Sequence, residues 1–176
     1  GATYAFAAQQ ACDGAWTETV TVTIPVSYTA PLFVDFDDES LVPEMTLASN
    51  NQTNIWFIGT ADNNTYDEDQ ELTDGGALYI TADNGATTGY NINTSTNATA
   101  KILLSLNPAE EKHIAFDWKA NGQLGSYSHY DYLSVHVVPY GQEANSSNAV
   151  ANVLGGATTW RTENITLPAS YYGLYE

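Results

Sequence analysis

Apolar residues in this protein recur at every second position, and that period restricts the fold more than any other feature. In WTETVTVTIPV, residues 16–26, Val20, Val22, Ile24 and Val26 alternate with Thr17, Thr19, Thr21 and Thr23. In IAFDWKANG, residues 114–122, Ile114, Phe116 and Trp118 alternate with Ala115, Asp117 and Lys119. Each is the pattern of a strand with one dry face and one wet face. The runs LFVDF, NIWFIG and ALYIT, then GYNI after the hairpin signal Asp83-Asn84-Gly85, read the same way. ATAKILLSL, HIAFDWKA, YDYLSVHVV and WRTENITL follow. Only EANSSNAVANV, 143–153, hints at a helical period, and it is too short and too rich in Ser and Asn to hold a helix. Short strands parted by polar turns, with no helices between them, predict an all-β sandwich.

The strands divide into two groups. TYAF, 3–6, is placed to pair with the 16–26 strand through QQACDGA, and Pro25 suggests that strand is an edge or an exit. A two-stranded hairpin is marginal alone. Residues 1–28 therefore read as the last two strands of an immunoglobulin-like module, cut from something longer. Residues 29–31 are the linker, within SYTAP, and 32–176 form the sandwich. In a protein of 176 residues, a domain of such size buries roughly 70% of its unfolded surface and needs no disulfide. The lone Cys12 leaves the redox compartment open.

The formal charge is -17, from 21 acidic residues against 4 basic ones. Such a surface repels phosphate backbones, which excludes nucleic acid as a partner, and it disfavours anionic membranes. No apolar run is long enough to span a bilayer. The Lys-poor, Thr/Asn/Gly/Tyr-rich composition points outside the cell. N-x-[ST] sequons stand at Asn51, Asn63, Asn93, Asn97, Asn145 and Asn164. They are glycan acceptors in a secreted eukaryotic protein, but a sequence this rich in Asn, Ser and Thr generates them by chance.

Catalysis finds little support. His113, Asp117, Ser128, His129 and Asp131 lie close in sequence, but Asp117 reads as the wet side of a strand. Ser134 and His136 share a strand face, as many strand residues do. A triad needs a base that reaches a nucleophile and an acid that orients the base; no G-x-S-x-G, H-E-x-x-H or Cys–His signature supplies that context. Two acidic clusters are more informative. DFDDES, 35–40, carries Asp35, Asp37, Asp38 and Glu39; ADNNTYDEDQELTD, 61–74, carries Asp62, Asp67, Glu68, Asp69, Glu71 and Asp74. They are either a solvated acidic surface or a calcium site joining the two loops, because hard carboxylate oxygens suit that ion. The second cluster is not an EF-hand loop. Aromatics, with 12 Tyr, 5 Phe and 4 Trp, crowd around Tyr127, Tyr130, Tyr132 and Tyr140, and again at Tyr171, Tyr172 and Tyr175. Such side chains suit sugar or protein partners, or fill a core.

The order F-x-D-F-D-D, N-I-W-F-I-G, G-G-A-L-Y-I-T-A-D-N-G, H-I-A-F-D-W-K-A-N-G and Y-D-Y-L-S-V-H-V-V-P resembles the cleaved adhesin domain and the similar choice-of-anchor J domain. These occur in surface and secreted proteins of Bacteroidota, including the haemagglutinin/adhesin regions of gingipains. The resemblance covers roughly residues 32–170. It implies a jelly-roll β-sandwich of the galactose-binding or MAM-like kind, often with structural calcium, which acts as a non-enzymatic adhesive or accessory module. The calcium ligands expected here are Asp37 and Asp38, at the end of the first sandwich strand, with Asp67 and Asp69 from the long acidic loop. The partners expected are a host or matrix protein, a glycan, or neighbouring domains of the same protein. Two alternatives stand beside adhesion: an accessory module of a secreted hydrolase, and a structural spacer in a surface filament. Family members continue past W-R-T-E-N-I-T-L-P into further strands where this protein reaches Tyr171-Tyr172-Gly173-Leu174-Tyr175-Glu176. The sandwich is thus expected either to be cut short or to lack an edge strand.

Overall fold

The computed structural model describes residues 2–7, 9, 16–38, 40–60, 75–108, 110–123 and 130–176. Every regular element among them is a strand. No helix there is long and apolar enough to cross a membrane. Strands β1 (Ala2–Phe6) and β2 (Val20–Ile24) form the expected antiparallel hairpin, with Tyr4 opposite Val22 and Phe6 opposite Val20. Cross-strand partners share a face, so Ala2, Tyr4, Phe6, Val20, Val22 and Ile24 make one apolar side. Thr3 and Thr23 meet on the other at 3.1 Å. Residues 10–15, with Cys12 and the turn expected there, lie outside the described residues.

The segment expected as a linker contains β3 (Tyr28–Thr29), which runs parallel to β8 further along the sequence. Then come β4 (Thr46–Ser49), β5 (Ile55–Gly59), β6 (Ala77–Thr81), β7 (Ala98–Lys101) and β8 (Leu104–Leu106). The remaining strands are β9 (Lys112–Ala120), β10 (Leu133–His136), β11 (Ala149–Leu154), β12 (Ala157–Leu167) and β13 (Gly173–Tyr175). Antiparallel ladders join β4 to β7, β5 to β6, β9 to β12 and β10 to β11. In the three-stranded sheet β8 lies between β3 and β13, and Tyr28 and Tyr175 both stand opposite Leu104. The outer side of β13 bonds to 138–140: Val138 and Glu176 exchange two backbone hydrogen bonds, and Tyr140 N–H donates to the Leu174 carbonyl. Lys101 closes this end with an ion pair to Glu176 at 2.8 Å.

Three expectations need correction. LFVDF is not a strand, so Asp37 and Asp38 do not end one; Phe36 sits at φ 63° and bends the backbone there. GYNI is also irregular, because the Asn54 side chain takes the Asn91 N–H and donates to the Asn91 carbonyl, replacing a ladder. ATAKILLSL is two strands, β7 and β8, with a break at Ile102–Leu103.

The alternation in β9 appears as read. Trp118 is buried, Ile114 and Phe116 are half-buried, and Ala115, Asp117 and Lys119 are exposed. The inward side of β9 and β12 presents Ile114, Phe116, Ile165 and Leu167. It packs on Val135, Val137, Val150, Ala151, Tyr171 and Tyr175. Residues of the β9–β12 and β10–β11 ladders thus pack into one apolar cluster, which is compatible with a sandwich.

Candidate functional site

The acidic turn at 35–38 is built by its own side chains. Asp35 Oδ1 accepts the Asp37 N–H at 3.1 Å, a local bond that competes with extended structure. Asp38 Oδ1 accepts both the N–H and the hydroxyl of Ser40, at 2.9 and 2.6 Å. The Ser40 hydroxyl, then its backbone N–H, hold the Asp38 carboxyl below its ordinary pKa of 3.8. Asp37 reaches a distant segment instead: its Oδ1 accepts the Gly76 N–H at 2.5 Å. A side chain at Gly75 would strike the Asp37 carboxylate, and one at Gly76 the Phe36 carbonyl. These two glycines therefore permit close approach. The contact sets the first acidic cluster against residues directly following the second. Asp67 and Asp69, with the rest of 61–74, lie outside the described residues. Among the described residues no three of His, Cys, Asp and Glu gather as metal ligands do. Asp37 and Asp38 thus stand side by side in sequence with different partners, and each has one oxygen engaged in hydrogen bonding.

The residues weighed for catalysis are held by other neighbours. Thr162 donates to Asp117 at 2.6 Å on the solvent side of β9 and β12. His113 contacts Thr166 at 3.3 Å and Glu111 at 3.4 Å, all exposed. Ser134 donates to Asn152 Oδ1 at 2.6 Å, and His136 Nδ1 lies 2.9 Å from Asn148 Oδ1. That Asn148 oxygen also accepts the Asn145 N–H, so the His136 Nδ1 must carry the proton. The β10–β11 pairing carries two register shifts beside these contacts, a feature no alternation of residues announces. Ser128 and His129 lie outside the described residues. Asp131 acts as a clamp: its Oδ2 accepts the Tyr90 hydroxyl and the Gln123 N–H, each at 2.8 Å. Burial first, then the bond to Asp131, push the Tyr90 phenol up to about 12.

The aromatics divide. Tyr79 and Trp118 are buried, while Tyr130, Tyr132, Tyr140, Trp160 and Tyr172 stand at least half exposed on the scaffold. The indole N–H groups of Trp56 and Trp118 are buried without a hydrogen-bond partner among the described residues. Trp56 also lines a shallow depression with Leu47, Ser49, Gln52 and Ile55. No family model, no curated protein and no solved structure matches this sequence.

Proposed function

We propose that the protein is a non-enzymatic adhesion or binding module of a bacterial cell-surface or secreted protein, with a jelly-roll sandwich as its body. The observation that supports this reading is the set of exposed aromatics on a strand scaffold, with Tyr130 64%, Tyr172 62% and Trp160 55% exposed. Aromatic side chains give large contact area at low entropic cost, and free ones on a rigid scaffold suit a glycan or a protein surface. The net charge of -17 turns the module away from nucleic acid. The β1–β2 hairpin is then the last two strands of an immunoglobulin-like module.

Structural calcium belongs to the same reading. Among the described residues no hydrogen bond reaches Oδ2 of Asp37 or Asp38, and both are hard oxygens of the kind calcium takes. Two such atoms are not a shell of six to eight, so Asp67 and Asp69 would have to complete it. The test of the main reading is binding by the isolated protein to a glycan array and to surfaces of extracellular-matrix proteins. Saturable binding to one class, weakened by Trp160→Ala or Tyr132→Ala, is the expected result. Hydrolytic activity lost in Ser134→Ala or His136→Ala would overturn it.

A further inference from the structure

We propose that Asn121–Gly122 is a site of spontaneous deamidation and isoaspartate formation, from which the second Asn-Gly pair, Asn84–Gly85, is shielded by the fold. The chemistry needs only water. The Gly122 backbone nitrogen loses its proton to solvent base and attacks Cγ of Asn121. A bond forms between that nitrogen and Cγ, the bond from Cγ to the amide Nδ2 breaks, and ammonia leaves. Water then opens the succinimide at either carbonyl, giving aspartate or isoaspartate with one added negative charge. A following glycine favours attack because no side chain obstructs it.

The two pairs differ in how their backbones are held. Asn84 sits in the left-handed region at φ 58°. The Gly85 N–H donates to Thr81 Oγ1 at 3.2 Å, and the Gly85 carbonyl accepts the Tyr79 hydroxyl at 2.8 Å. Thr81 is fully buried, and the Phe57 ring lies so close over Gly85 that a Cβ there would clash. The attacking nitrogen is thus engaged and its peptide fixed on three sides. Asn121 leaves β9 outside the ladder, exposed, with no hydrogen bond to its side chain among the described residues. Among the described residues no hydrogen bond engages the Gly122 N–H, whereas the Gly85 N–H is held by Thr81.

The site sits at the Asp131 clamp. Gly122 packs under Asp131, where a Cβ would come within 2.4 Å of the Asp131 Cβ, and the next N–H, of Gln123, donates to that carboxylate. An isoaspartate would lengthen the backbone by one methylene beside this contact. The test is peptide mapping with enzymatic isoaspartate labelling after incubation in mildly alkaline buffer, run on folded protein and in urea. In folded protein the Asn121 peptide should lose its amide while the Asn84 peptide keeps it; in urea both should convert. Asn121→Gln, checked for native circular dichroism, should remove the folded-state signal. Equal conversion of both sites in folded protein would overturn the proposal. So would an Asn121 amide that survives in folded protein but not in urea, or an isoaspartate yield unchanged by Asn121→Gln.

Discussion

At Trp118 the side chain fills the core beside Phe116, and its N–H has no hydrogen-bond partner among the described residues. Trp118→Ala should therefore cost about 3–5 kcal/mol through transfer and cavity terms. Trp118→Phe should cost much less, because it deletes a buried donor along with part of the volume. Asp117→Asn keeps an oxygen for Thr162 and should change stability by no more than about 0.5 kcal/mol. Urea unfolding of the three variants checks the order, and an expensive Asp117→Asn would reverse the face assignment. The period of two identified this face correctly, but it could not announce Lys112, which shares it. That buried lysine reaches the Glu110 carbonyl with its amine while its stem covers apolar surface. Titration acts at the same scale. The hydroxyl of Thr81 first, then the N–H and hydroxyl of Thr87, lower the Asp83 carboxyl to about 2. Its contribution is complete above the ordinary 3.8 and disappears as pH falls toward about 2. Tyr90 works in the opposite sense: it is raised to about 12, so its contribution is complete below 10 and is lost as pH rises toward about 12. Asp83→Asn should flatten the acid limb of a stability–pH profile and leave the alkaline limb unchanged. Asp131→Asn should move the Tyr90 phenolate titration, followed by absorbance, part of the way back to 10.

Among the elements, long strands with strict alternation were legible and short irregular ones were not. β9 follows from its period, and β12 alternates in the same way only over its last five residues. LFVDF carries the same apolar content, yet local bonds from Asp35 and Asp38 and the left-handed Phe36 break it before a ladder forms. β11 was hidden for a related reason. Its Ser/Asn-rich approach hints at a helix or a loop, and its register shifts against β10 blur the period. β13 is three residues long and is a strand only because β8 and 138–140 hold it on both sides. The proposed calcium ligands show the limit most plainly. That Asp37 touches Gly76, just after the second acidic cluster, depends on two glycines and a bend, none of which a period reveals. Within β11, Val153 lies at φ 56°, which a β-branched residue rarely adopts. It is 46% exposed, so little packing is lost when it changes. Val153→Asn or Val153→Gly should raise stability by about 1 kcal/mol through release of that strain. A drop in thermal midpoint for both variants would show that the valine side chain matters more than its backbone.

For the molecule as a whole, the net charge of -17 is the dominant quantity. Self-repulsion at that density opposes compaction, so the melting temperature should rise with sodium chloride as screening shortens the reach of each carboxylate. If the proposed calcium site forms at Asp37 and Asp38, calcium should add a further rise at matched ionic strength, as a ligand that binds only the folded state does. Asp37→Asn keeps the oxygen for Gly76 but removes the charge, so it should reduce the calcium increment and leave the sodium response nearly intact. Glu143→Gln should leave the calcium increment unchanged. Identical calcium and matched-salt curves, with no heat on titrating calcium into chelator-treated protein, would reduce the site to a solvated acidic surface. The sheet made by β3, β8 and β13 has a mechanical consequence as well. Tyr28 and Tyr175 face Leu104 from opposite sides, two strand spacings or about 10 Å apart. A tether pulled at these two points would load the sheet across its strands and peel hydrogen bonds one after another. A strand pair pulled lengthwise shares the force among all its bonds at once. Between these handles the domain should open at low tension, as a zipper does.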